Sequence, residues 1–281
     1  MTAGSPYRWK LGAPRTVFIS GGSSGIGRNM ARHLAAEGAH IALFNRSSAT
    51  DVLQEMRAAA CRPEQRFCTY RTDVAQAANI EAAVRQAVQE LGAPDLAINS
   101  AGVINALPFD KATAQDFDRV IDTNLKGSRH FAAAVLPHMQ ARSHLVFIAS
   151  LAAYTGNFAY TAYCASKFGV RGLAEALRYE LKLKGIDVSL CCPGEIMTPM
   201  VTEEKRYQHP VSAALKAFAG SAQLDEAVPA LLRGIARREF DIADGPRPAL
   251  TAFLSRHAPR LSRQIGDHIA ARALRIASKV P

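Results

Sequence analysis

No run in this chain of 281 residues approaches the roughly 18 consecutive apolar side chains that a membrane-spanning helix needs. A helical membrane span is therefore excluded. Cysteine occurs five times, as Cys61, Cys68, Cys164, Cys191 and Cys192, an odd number with the last two adjacent. No CxxC pair or Cys/His cluster has zinc-ligand spacing, so neither a disulfide framework nor a metal site is expected. Reduced thiols in a cytoplasmic compartment fit that usage. Met1 to Pro14 holds Arg8 and Lys10 with no apolar run behind them, so no secretory signal is expected. Repeats and low-complexity tracts are absent.

Acidic residues are also scarce, 24 against 34 Lys and Arg, for a formal charge of +10. Such an excess raises nucleic acid, membrane surfaces or anionic ligands as partners, and its location separates them. Between Arg247 and Pro281 stand Arg247, Arg256, Arg260, Arg263, Arg272, Arg275 and Lys279 against the single acid Asp267, so this segment carries +6 of the +10. Beyond Phe253 no aromatic side chain interleaves with these cations, which argues against nucleic acid. The rest is ordinary: 48% hydrophobic and 21% charged residues exclude disorder and suffice for one α/β domain.

Short apolar runs alternate with longer helical patterns. The spacing predicts strands over Thr16–Ser20, His40–Asn45, Arg66–Tyr70, Asp95–Asn99, Leu145–Ser150 and Asp187–Cys191. Helical patterns fill Gly25–Glu37, Ala75–Leu91, Ala114–Gln140 and Tyr160–Lys184. Alternation of this kind gives a parallel sheet with right-handed crossovers, and strands apolar throughout belong in a sheet covered on both faces. The expected class is α/β, a doubly wound parallel sheet, whose ligands bind beyond the carboxyl ends of the strands.

Three constellations fall at such ends. Ser20-Gly21-Gly22-Ser23-Ser24-Gly25-Ile26-Gly27 closes the first strand and opens a helix. Its glycines let backbone N–H groups approach a phosphate, which the helix N-terminus also favours. A glycine-serine turn alone is weak evidence, but the flanking strands and helix supply the context of a dinucleotide site. Asn45-Arg46 ends the second strand where an acid would bind the 2′-hydroxyl of NAD. A neutral and a cationic residue there suit the 2′-phosphate of NADP(H), unless Arg46 is simply solvated. Finally, Ser150 ends a strand, and Tyr163 and Lys167 share a helix face at i, i+4. A neighbouring ammonium favours phenolate and brings tyrosine into range to exchange a proton with an alcohol.

In these ordered motifs, over about residues 15–245, the chain resembles the short-chain dehydrogenase/reductase family. Ser20–Gly27 is similar to its TGxxxGIG loop, with Ser20 in place of threonine. Thr72-Asp73-Val74 resembles the segment that meets the adenine. Asn99-Ser100-Ala101-Gly102 resembles the NNAG motif, with serine in place of the second asparagine. Asn124 matches the helix asparagine that orders a relay water, and Pro193-Gly194-Glu195-Ile196-Met197-Thr198 resembles the PGxxxT segment. The resemblance implies a Rossmann fold in which Tyr163 is the general acid/base and Lys167 lowers its pKa and binds the nicotinamide ribose. Ser150 then polarises the substrate oxygen, and Ile196 and Thr198 contact the nicotinamide amide. Ser24 departs from the Lys or Arg of many NADP-dependent members, leaving Arg46 as the clear cation for the 2′-phosphate.

Within the family, Phe158–Phe168 and Val170–Leu177 look most like 3-ketodihydrosphingosine reductases, which reduce a long-chain ketone with NADPH. Pro193-Gly194-Glu195 departs from that subgroup's proline-proline-aspartate, and the tail lacks its hydrophobic membrane segment. The segment from Thr198 to Ala222 would cover the substrate. Its Met200, Val201, Tyr207, Val211, Leu215 and Phe218, with Met197 just ahead of it, form either an apolar lid or the core face of two short helices, while Glu203, Glu204, Lys205 and Arg206 are expected to be solvated.

The organisation expected is an arm over residues 1–14, one reductase domain over 15–246 and a basic helical extension over 247–281. In the extension, Leu261, Ile265, Ile269 and Ile276 share an arc, but Arg272 and Lys279 project into it. Peripheral contact with a membrane, packing on the domain and packing on a second copy all remain open for this segment. The function expected is reduction of a hydrophobic ketone, or oxidation of the matching alcohol, with NADP(H) and no metal. A steroid or retinoid-like alcohol, a 3-oxoacyl thioester and a non-catalytic NADP-binding sensor are the alternatives.

Overall fold

The computed structural model of the chain describes residues 5–277. Its first half runs β1 (Thr16–Ser20), α1 (Gly25–Ala36), β2 (His40–Asn45), α2 (Thr50–Ala59), β3 (Phe67–Arg71), α3 (Ala77–Leu91), β4 (Leu96–Asn99), α4 (Ala114–Ile121), α5 (Gly127–Val135) and β5 (His144–Ile148). Then come α6 (Thr161–Lys182), β6 (Asp187–Cys191), β7 (Glu195–Ile196), α7 (Pro199–Glu204), α8 (Pro210–Ala219), β8 (Ser221–Ala222), α9 (Leu224–Arg237), β9 (Asp241–Ile242), α10 (Pro246–His257) and α11 (Pro259–Ala277).

Seven strands pair in parallel in the order β3-β2-β1-β4-β5-β6-β9, and β7 and β8 form a separate two-stranded ribbon. The expected doubly wound α/β sheet is therefore present. All five residues of β1 and all five of β5 are buried, because helices cover both sheet faces. Phe18, Phe44, Phe131 and Phe147 pack on one face, and Ile19, Met30, Leu34 and Leu231 on the other. Fully burying one such side chain stabilises the fold by about 1.5–3 kcal/mol. The strand order reverses at β1, which pairs with β2 on one side and β4 on the other. A crevice consequently opens beyond Ser20 and Asn99.

The departures from the sequence reading have local causes. The helix expected over Ala114–Gln140 is broken. A π turn over Asp122–Lys126 interrupts it, and a 3-10 turn over Leu136–His138, carrying Pro137, ends it. At its start Thr113 accepts from the Asp116 backbone N–H at 3.1 Å, while Asp116 accepts from the Thr113 N–H, a reciprocal cap. Strand β5 stops at Ile148, so Ser150 stands just past it as the cap of a 3-10 turn, Leu151–Ala153. The helix α2 and the two-residue strands had no clear signature of their own, whereas the two short helices of the Thr198–Ala222 segment are present as α7 and α8. Tyr7 of the N-terminal segment is buried and its hydroxyl meets His33 Nδ1 at 2.7 Å, so that segment packs on α1.

The basic extension folds as α10 and α11 and packs against α8, with Gly266 beside Leu215. The arc read from sequence is only half realised. Ile265 and Ile269 face inward, whereas Leu261 and Ile276 are exposed; Lys279 lies outside the described residues. Among the described residues no helix is long and apolar enough to cross a membrane.

Candidate active site

The turn after β1 is shaped by backbone crowding. Gly21 adopts φ +69, and a Cβ there would lie 2.6 Å from the backbone of Ala101. A Cβ on Gly27 would overlap the carbonyl oxygen of Gly21. Both positions therefore require glycine. Ser20 Oγ donates to Asn99 Oδ1 at 2.8 Å, and Asn99 Nδ2 donates to Ser128 Oγ at 2.6 Å. Ser20 and Asn99 thus tie the β1 and β4 turns together from behind rather than lining the crevice.

The crevice itself is lined by Gly21, Ser23, Ser24, Gly25 and Ile26, then Asn45, Arg46, Thr72, Val74, Ala101, Gly102, Tyr163, Lys167 and Thr198. Asp73 is absent from this lining; its carboxylate accepts from the Ala75 N–H at 2.9 Å. Pro193, Gly194 and Ile196 line the adjoining pocket instead. The walls fit a dinucleotide. The Ser24 side chain makes no cap bond and the first turn of α1 has no acid, so the N–H groups there are available to a phosphate. Asn45 Oδ1 and Thr72 Oγ1 are buried without hydrogen-bond partners, a condition costing about 1–3 kcal/mol each that ligand hydroxyls would relieve. Arg46 lies beside them, exposed.

The catalytic candidates converge between crevice and pocket. Lys167 is 5% exposed, and its Nζ donates to the Ile148 carbonyl at 3.0 Å. Burial lowers the ammonium from its ordinary 10.5 to about 8. Tyr163 lines both spaces. Burial pushes its hydroxyl above the ordinary tyrosine value, and the neighbouring Ser150 side chain pulls in the opposite direction. Lys167 Nζ lies 5.5 Å from the Tyr163 ring centre and is directed at the Ile148 carbonyl. Ser150 Oγ also accepts from the Ala152 N–H at 3.2 Å, which fixes its rotamer.

Asn124 sits in the π turn, a feature that re-aims single side chains inside a helix. Its Oδ1 accepts from the Val103 N–H at 2.8 Å. Its Nδ2 donates to the Val103 carbonyl at 2.9 Å and to Ser166 Oγ at 3.0 Å. Both ends of the amide are therefore engaged with protein atoms, and they hold the Gly102–Val103 backbone beside Lys167.

The adjoining pocket opens from Ser150 and Tyr163 toward Ile104, Ile196, Val201, Leu215, Leu254 and Ile269. Its lid is the pair α7 and α8, carrying Met200, Val201, Leu215 and Phe218, while Val211 is core and Tyr207 is exposed. Sequence reasoning missed the polar group beneath this lid. Glu204 is fully buried, contrary to the solvated face expected for it; Glu203, Lys205 and Arg206 are exposed as expected. Lys216 Nζ lies 2.9 Å from Glu204 Oε2 and 2.6 Å from Glu195 Oε2. Tyr160 donates its hydroxyl to Glu204, and Gln208 Nε2 adds a bond at 3.0 Å. Burial works to raise the Glu195 carboxyl, but hydrogen bonds from Lys205 and Lys216 outweigh it and hold it below its ordinary 4.5. The available signal was Lys216 itself, on the inward face of α8 with Ser212, Leu215 and Ala219.

Residues 15–209 match the short chain dehydrogenase family. The chain is 34% identical over 234 residues to a 3-dehydrosphinganine reductase of Arabidopsis thaliana, covering 81% of this chain and 69% of that protein. It is 30% identical over 247 residues to a 3-dehydrosphinganine reductase of Danio rerio, covering 86% and 74%. Among solved structures, levodione reductase superposes with a TM-score of 0.73 at 31% identity, covering 84% of this chain and 98% of that one.

Proposed function

The chain belongs to the short-chain dehydrogenase/reductase family, oxidoreductases that work with NAD(P)(H), and from that premise we propose that it reduces a hydrophobic long-chain ketone to a secondary alcohol with NADPH. The observation that carries this reading is Tyr163, placed where a dinucleotide-shaped crevice meets a largely apolar pocket. The nicotinamide, when bound, supplies a hydride to the carbonyl carbon. Tyr163 delivers the proton to the carbonyl oxygen, so that one C–H and one O–H bond form as the C=O double bond is lost. Ser150, which lines the same pocket as Tyr163, orients and polarises that oxygen. Lys167 contributes its ammonium beside the crevice, and Asn124 holds the Gly102–Val103 backbone against it.

The preference for NADP(H) rests on Arg46 at the end of β2, beside the neutral Asn45, where a 2′-phosphate would lie. The substrate class rests on the apolar lining and on the relatives, whose names point to 3-dehydrosphinganine, a long-chain ketone. The exposed cations Arg260, Arg263 and Arg272 of α11 suit peripheral contact with an anionic membrane that holds such a substrate. NADPH oxidation measured over ketones of graded chain length, 3-dehydrosphinganine among them, tests the reading. The value of kcat/KM should rise with chain length. A preference for short ketones, steroids or 3-oxoacyl thioesters would overturn the substrate class, and no turnover of any carbonyl would overturn the enzyme reading.

A further inference from the structure

The pocket proposed to hold the ketone is closed on one side by helices outside the segment that matches the family. That match ends at residue 209, whereas α10 and α11 begin at Pro246 and Pro259. Leu254 of α10 and Ser262, Ile265, Gly266 and Ile269 of α11 nevertheless line the same pocket as Ser150 and Tyr163. The α11 positions recur at three- and four-residue intervals, which places them on one helix face. Ala273 continues that face and is buried, while Arg260, Arg263 and Arg272 are exposed. The face turned to the pocket is built largely from small residues, which leave room beside the two isoleucines.

Gly266 is the informative position. A Cβ built there meets Leu215 Cδ2 at 4.0 Å and nothing nearer, and its φ is outside the left-handed region. Neither packing nor backbone conformation requires glycine here, and in a helix glycine is intrinsically disfavoured. The side chain it lacks would stand in the pocket.

We propose that α10 and α11 form a built-in cap that completes the substrate pocket, with Gly266 and its neighbours Ile265 and Ile269 setting the length of apolar chain accepted. The inference rests on the ketone-reductase reading above and assigns the basic extension a role in selectivity. Larger side chains at this wall shorten the pocket; the outward arginines have no part in it.

The test uses the full-length chain carrying Gly266→Leu, with Ile265→Phe as a second obstructing variant and the exposed Asp267→Ala as the control. NADPH oxidation is measured with a short and a long ketone, and the ratio of their kcat/KM values is read. Discrimination by a single methylene in an apolar pocket is worth roughly 10–200-fold. Both obstructing variants should therefore lower the long-to-short ratio at least about tenfold, and the control should leave it unchanged. Leucine is a strong helix former, so Gly266→Leu should fold normally, which a thermal melt checks. Binding of 11-(dansylamino)undecanoic acid, followed by fluorescence, gives a readout independent of turnover. If the ratio is unchanged in both variants, the cap is wrong and the reductase reading stands. If wild type reduces no ketone yet both variants weaken the dansyl probe, the reductase reading fails and the cap stands.

Discussion

Lys216→Met is the perturbation whose cost can be worked from the geometry. Lys216 is the cation between Glu195 and Glu204, and Glu204 has no exposed surface. Replacing it with a neutral side chain of similar length leaves the buried Glu204 carboxyl without its cation among Tyr160, Gln208 and apolar walls. Removing one partner of a buried pair costs about 3–5 kcal/mol, because the remaining charge is uncompensated. The two retained hydrogen bonds place this site at the lower end. At roughly 2–4 °C per kcal/mol for a chain of this size, the melting temperature should fall by about 6–12 °C. Adding Glu204→Gln removes the stranded charge and should recover at least about half of the loss. The pH dependence has a definite sign. The Glu195 carboxyl is held below its ordinary 4.5 in the fold, so its contribution is present above that value and is lost as pH falls through the lower folded value. Lys216→Met should flatten this acid limb of a melting-temperature profile. A single variant melting within about 2 °C of wild type, or a double variant no more stable than the single, would refute the account of this cluster.

Arg46→Asp should shift the kcat/KM ratio of NADPH to NADH toward NADH by at least about tenfold, since it exchanges a cation at the proposed 2′-phosphate position for an acceptor of ribose hydroxyls; steady-state kinetics with both dinucleotides reads it. Gly27→Ala should weaken dinucleotide binding or prevent folding, because its Cβ would meet the Gly21 carbonyl, and calorimetric titration alongside a thermal melt separates the two. Reversing Arg260, Arg263 and Arg272 to Glu should lower binding to anionic vesicles at least about tenfold in cosedimentation, at roughly 1 kcal/mol per cation, without affecting turnover of a water-dispersed ketone. Equal sedimentation of both proteins would remove the membrane from the account.

The first half of the site was legible because its requirements are local. A glycine that must avoid Ala101, and a tyrosine and lysine one helical turn apart, are visible in a few residues of sequence. What the lysine does to the tyrosine was not, since it depends on Nζ turning to Ile148 and on burial raising the hydroxyl. The Glu204–Lys216 pair joins α7 to α8 over Tyr160, the residue just ahead of α6, and such a pairing arises only once two short helices fold back over that end of α6. Charge pattern alone made Glu204 look like its exposed neighbour Glu203. The packing face of the extension was only partly legible, for another reason. Its inward face uses Ser262, Gly266 and Ala273, which carry little hydropathy signal, while the more apolar Leu261 and Ile276 point outward. Strand β9, two residues long, is defined by pairing with β6 rather than by its own composition.

The central claim is that Tyr163 is the proton donor for carbonyl reduction. Tyr163→Phe removes one hydroxyl from a half-buried position and leaves the crevice walls in place. Turnover of the preferred long-chain ketone by this variant, measured by NADPH oxidation with NADPH affinity determined in parallel, tests the claim most directly. The account predicts a fall in kcat of more than about two orders of magnitude with NADPH binding retained. Turnover within a few-fold of wild type would contradict it.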